Sequence, residues 1–104
     1  MIVDEMREYQ RQDIYSSTPL QLVVKLYDVA ISACYRGDRK RLRTALAELM
    51  SGLNLEEGGD IAGRLYRLYE YCIEESVSGD LVSVRNVLTE LRDAWKQIAF
   101  SAAA

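Results

Sequence analysis

The sequence predicts an all-α protein, an antiparallel up-down four-helix bundle carrying an N-terminal arm, and three observations predict it. Pro19, Gly37, the Gly58–Gly59 pair and Gly79 divide the chain into four segments of helical length. Within each segment the apolar residues recur at spacings of three and four, the period of a helix with one face turned inward. No stretch alternates with period two for long enough to make a strand. Short connections between four amphipathic helices favour antiparallel neighbours.

Residues 1–16 read as the arm, residues 17–100 as the bundle and residues 101–104 as a short tail. The arm is polar, with sparse apolar points at Ile2, Val3, Met6, Tyr9, Ile14 and Tyr15. The first bundle helix opens with Thr18 as N-cap, Pro19 in the first turn and Gln21 completing a capping box. Gly37 ends it. Asp38 is placed to cap the second helix, whose apolar points Leu42, Ala45, Leu46, Leu49, Met50 and Leu53 fill a face about 140° wide. LNLEEGGD is a turn, with Asn54 suited to a left-handed position and Asp60 to capping the third helix, from Ile61 to about Val77. Gly79 stops that helix and Asp80 caps the fourth, whose seam runs Leu81, Val84, Leu88, Leu91, Trp95 and Ile98.

Composition narrows the function. The chain has 104 residues, 49% of them apolar, enough for one packed domain. Its formal charge of −3 argues against nucleic acid as the main partner. No apolar run approaches the roughly 20 residues of a membrane span, and MIVDEMREYQ lacks the basic start and apolar stretch of a signal peptide, so a cytoplasmic protein without membrane insertion is expected. Histidine is absent, which removes the commonest general base and metal ligand. Cys34 and Cys72 sit among apolar neighbours, without the spacing of a zinc site. Asp4, Glu5 and Glu8, like Glu56 and Glu57, read as solvated charge, and the GG of LEEGGD lacks the Lys and Ser/Thr of a phosphate loop. Neither an enzyme nor a cofactor is expected.

Two features remain. Arg36, Arg39, Lys40, Arg41 and Arg43 crowd the turn into the second helix, where each exposed cation opposes the helix dipole at a cost of about 0.3–1 kcal/mol. They read as a solubilising hairpin tip or as a contact for an anionic partner, nucleic acid included. The apolar faces of the first and third helices are also too wide. On the first, Gln21, Lys25, Asp28 and Ser32 share a polar stripe of only about 60°, leaving an apolar arc of about 240°. Leu22, Leu26, Val29 and Ala33 stand across the wheel from Val24, Ile31 and Tyr35, so one core cannot take both sets. On the third, the apolar arc is near 180°, and Tyr71 stands between Arg64 and Arg67. Either the first helix is central and the arm covers its remainder, or a groove waits for an amphipathic segment of another chain. An arm that fills the groove until a partner displaces it would satisfy both readings.

The ordered motifs YQ (Tyr9, Gln10), SSTP (Ser16 to Pro19), LYD (Leu26 to Asp28), LNLEEGGDIA (Leu53 to Ala62), LYRLYEY (Leu65 to Tyr71) and LRDAWKQI (Leu91 to Ile98) resemble the FliS family of flagellar export chaperones over nearly the whole chain. The resemblance implies a cytosolic helical bundle that binds the disordered C-terminal segment of flagellin, prevents its early polymerisation and helps deliver it to the flagellar export gate. Mapped onto this chain, it implies a flagellin groove at Ile14, Leu22, Leu26, Tyr27, Val29, Leu65, Tyr66, Tyr69 and Ile73, and an export-gate contact at Met6 and Tyr9. The protein would be a monomer or weak homodimer. Two departures stand out: Val29 occupies the place after LYD where the family usually has glycine, and the first hairpin is shorter by roughly two turns on each arm. A self-associating bundle without a flagellin client is the alternative.

Overall fold

A computed structural model describes residues 2–8, 14–15 and 18–101. The described residues form helices α1 (Ile2–Glu8), α2 (Leu20–Arg36), α3 (Arg39–Ser51), α4 (Gly59–Ser78) and α5 (Leu81–Ser101), with no strand among them. The protein is all-α, as expected.

Local chemistry sets the helix ends. Gly37 takes the left-handed conformation at φ 68°. Its N–H and that of Asp38 bond back to the carbonyls of Cys34 and Ala33, the paired closure that only a residue without a Cβ adopts cheaply. The Asp38 carboxylate then accepts the N–H of Arg41 at 3.1 Å, and Asp80 likewise accepts the N–H groups of Val82 and Ser83.

Three local expectations fail. Pro19 holds the cap position of α2 with no side-chain bond, so the Thr18–Gln21 capping box does not form. Among the described residues only Gly37 and Gly59 have positive φ. Asn54 instead organises its turn through its side chain, whose Oδ1 accepts the N–H groups of Glu56 and Glu57. Gly58 stands at the α4 cap position, and Asp60 lies inside the first turn, where its charge still favours the helix dipole.

In the bundle α2 packs most extensively on α5 and α3, and α3 on α4. Side chains meet in opposite chain directions across α2 and α5: Tyr27 touches Trp95, Asp28 pairs with Arg92 at 2.9 Å, and Tyr35 stacks against Arg85. Helices α4 and α5 approach each other less closely, and α1 contacts both. Met6, Ile14 and Tyr15 are buried in the same core as the bundle helices, while Arg64 of α4 pairs with Glu5 of α1. The N-terminal residues therefore contribute to the core. The Asn54 N–H fastens this segment by bonding the Ile14 carbonyl at 2.8 Å.

Candidate functional site

The wide faces of α2 and α4 divide into a closed half and an open half. Hydrogen bonding decides the closed half. The Tyr15 hydroxyl lies 3.0 Å from the Leu49 carbonyl and 2.8 Å from the Tyr69 hydroxyl. Tyr69 in turn meets Tyr27, and the Trp95 indole N–H donates to Tyr27 at 3.3 Å. A carbonyl only accepts and an indole N–H only donates, so the protons of the chain are ordered. Trp95 donates to Tyr27, Tyr27 to Tyr69, Tyr69 to Tyr15 and Tyr15 to Leu49. Among the described residues no buried side-chain donor or acceptor lacks a partner. Burial raises the ionisation of Tyr15, Tyr27 and Tyr69 above the ordinary tyrosine value, holding all three hydroxyls neutral.

Four residues of the expected groove lie in this closed half of the free chain. Ile14, Tyr27, Leu65 and Tyr69 are fully buried: the aliphatic side chains of Ile14 and Leu65 and the hydroxyl-paired rings of Tyr27 and Tyr69 close the bundle itself. Met6, expected at an export-gate contact, is also fully buried. Its companion Tyr9 lies outside the described residues. The sequence reading missed Tyr15 and Trp95 as partners of Tyr27 and Tyr69, since nothing in helical spacing reports a bond between residues 54 or 68 positions apart.

The open half keeps the remaining groove candidates. On α2, Leu22 is 48% exposed, and Leu26 and Val29 are half-buried. Their spacings of four and three put all three on one stripe. On α4, Tyr66 and Ile73 are half-buried and Val77 is 63% exposed, again on one stripe by spacings of seven and four. Val29 packs against the core edge, so its extra bulk fills a helix contact that a glycine would leave open. Tyr71 is exposed on the polar side of α4.

Burial pushes the Cys72 thiol up to about 12, with the Cys34 thiol adding to the effect, so neither is an activated nucleophile. Among the described residues no three His, Cys, Asp or Glu side chains converge on a metal position. No helix of the described residues is long and apolar enough to cross a membrane.

The basic turn separates in the same manner. The Arg39 guanidinium donates to the carbonyls of Glu75, Ser76 and Gly79, and Arg43 donates to that of Ser76. Both thus satisfy the last carbonyls of α4, where a cation also suits the dipole. Arg36, Lys40 and Arg41 remain exposed.

Comparison with known proteins places this architecture. The family model for flagellar protein FliS matches residues 3–102. A flagellar secretion chaperone FliS from Salmonella typhimurium is 32% identical over 108 residues, covering 83% of this chain and 80% of the relative. No solved structure matches the chain. With the family model spanning the α1 segment and the whole helical bundle, the chain belongs to the FliS family of flagellar proteins.

Proposed function

We propose that this protein is a flagellar secretion chaperone whose client is flagellin, and that it binds the disordered C-terminal segment of flagellin on the open stripes of α2 and α4. The observation that carries this reading is the apolar surface still open at the edge of the core: exposed Leu22 with half-buried Leu26 and Val29 on one helix, half-buried Tyr66 and Ile73 with exposed Val77 on another. Each stripe has the spacing that an amphipathic helix lays itself against. Because the stripes belong to different helices, an extended client that becomes helical in places suits them better than a folded domain. Ordering such a client consumes about 2–5 kcal/mol or more of the gross interaction, so both stripes must be engaged. A bound client would be held from premature polymerisation.

The N-terminal segment couples to the same event. Met6 is enclosed in the free chain, so a contact between Met6 and the export gate requires the segment to leave its seat between α4 and α5. A client that competes for that seat would release the segment as it loads and present it to the gate. Affinity would then be reduced by the fraction of time the seat is occupied.

Leu22→Glu tests the reading, since its exposure spares the core. Calorimetric titration with the flagellin C-terminal segment should show affinity lower by about tenfold or more, the equivalent of about 1.4 kcal/mol, with an unchanged circular dichroism spectrum. Unchanged affinity in the folded variant would remove the α2 stripe from the site. Sedimentation of the lone chain separates the other reading. A stable dimer indifferent to flagellin would identify the stripes as a self-association surface.

A further inference from the structure

The end of the bundle that gathers the C-terminus of α2, the N-terminus of α3 and the N-terminus of α5 carries a second surface, separate from the α2 and α4 stripes. We propose that it docks an acidic segment of a partner protein, one in which carboxylates alternate with aliphatic or aromatic residues.

The cations at this end fall into two groups. Arg39 and Arg43 are spent on the carbonyls of α4. Arg36, Lys40 and Arg41 are exposed, and among the described residues their side chains take part in no ion pair. Lys40 and Arg41 lie in the first turn of α3, where positive charge opposes the dipole. Among the described residues no ion pair of theirs offsets that cost. Three of the neighbouring acids are already engaged. Asp38 accepts the Arg41 N–H, Glu75 accepts the Asp80 N–H, and Asp80 holds the N–H groups of Val82 and Ser83 together with the Ser83 hydroxyl. Glu74, on the polar side of α4, is the exception. Even with every carboxylate at this end counted as charged, the cations Arg36, Arg39, Lys40, Arg41, Arg43 and Arg85 outnumber Asp38, Glu74, Glu75 and Asp80, in a chain whose formal charge is −3.

Apolar anchors adjoin the cations. Tyr35 is 71% exposed and holds the Arg85 guanidinium 4.7 Å from its ring centroid, and Val82, one turn before Arg85, is 53% exposed. An aromatic ring backed by a cation, with an aliphatic neighbour and three further cations, suits carboxylates interleaved with apolar side chains. Val82 offers an aliphatic contact that the apolar side chains of a protein segment fill and a phosphate backbone does not, which favours a protein partner over nucleic acid.

The test uses the full chain and a fluorescein-labelled peptide of alternating glutamate and leucine, read by fluorescence anisotropy, with a labelled oligothymidine in parallel. The wild type should bind the peptide, more weakly as salt rises. The triple variant R36E/K40E/R41E should bind it at least about tenfold less tightly, each contact contributing severalfold. Its melting temperature should be equal or higher, because acids in the first turn of α3 favour the dipole. Leu22→Glu should keep peptide affinity while losing flagellin affinity, and the triple variant should do the reverse, so failure of either surface is visible on its own. No binding of the peptide by the wild type, equal affinity in the folded triple variant, or tighter binding of the oligothymidine through the same residues would overturn the proposal.

Discussion

Tyr69 is the residue through which the core is best interrogated, because its hydroxyl joins Tyr15 of the N-terminal segment to Tyr27 of α2. Tyr69→Phe leaves the Tyr27 donor without an acceptor and the Tyr15 oxygen without its donor. It should lower the unfolding free energy by about 1–3 kcal/mol in urea titration, with helix content retained. Alkali should act on the same residues. Burial raises the folded-state ionisation of Cys72 from 9.0 to about 12 and that of Tyr69 above 10.0, so in that range the unfolded chain releases protons that the folded chain keeps. Stability is thus full below pH 9.0 and falls as pH rises towards 12. Tyrosinate absorbance from the buried rings should appear together with loss of helical dichroism. Buried tyrosines titrating at the ordinary value with helices intact would contradict the closed core. These pairings were not legible in the sequence. The apolar arc of α2 is so wide that Tyr27 and Leu22 are equally eligible for the core by wheel position. Matching of hydroxyls from distant segments decides between them.

The four long helices were legible element by element, because each pairs a three-and-four spacing with a glycine or proline at its border. Helix α1 was not. Its seven residues, IVDEMRE, are too few to establish a period, and its order comes from packing against α4 and α5. The connections offer sharper tests than the helix interiors. Gly37→Ala meets nothing within 4 Å but forces a Cβ onto a left-handed residue, so it should cost about 1 kcal/mol without moving any neighbour. Gly52 has φ −81°, and there a Cβ would lie 2.8 Å from the Thr18 hydroxyl and 3.3 Å from the Tyr15 ring. Gly52→Ala should therefore loosen the N-terminal segment, read as faster hydrogen exchange at the Asn54 amide that bonds Ile14, with α2 to α5 unchanged. Arg39→Ala removes three bonds to the end of α4 and should cost about 1–2 kcal/mol, with the last turn of α4 fraying first.

At the scale of the whole molecule, the N-terminal segment is part of the core and, in the proposed function, also competes with the client for its surface. Removing residues 1–15 deletes Met6, Ile14 and Tyr15, all in the buried cluster, and should lower stability by about 2–5 kcal/mol. The same deletion should tighten binding of the flagellin segment if the seat between α4 and α5 is shared. Equal or weaker affinity in a folded variant would count against that competition. Family membership was legible from ordered motifs spread over the chain, and the match to residues 3–102 agrees with it. The division of the site was not, because sorting closed from open surface depends on where residues 2–8 and 14–15 pack. The most direct measurement is an amide chemical-shift map of the full chain titrated with the flagellin C-terminal segment. Shifts concentrated on Leu22–Val29 and Tyr66–Val77 are the predicted result. Saturation with both stripes unshifted, or no binding at all, would contradict the account.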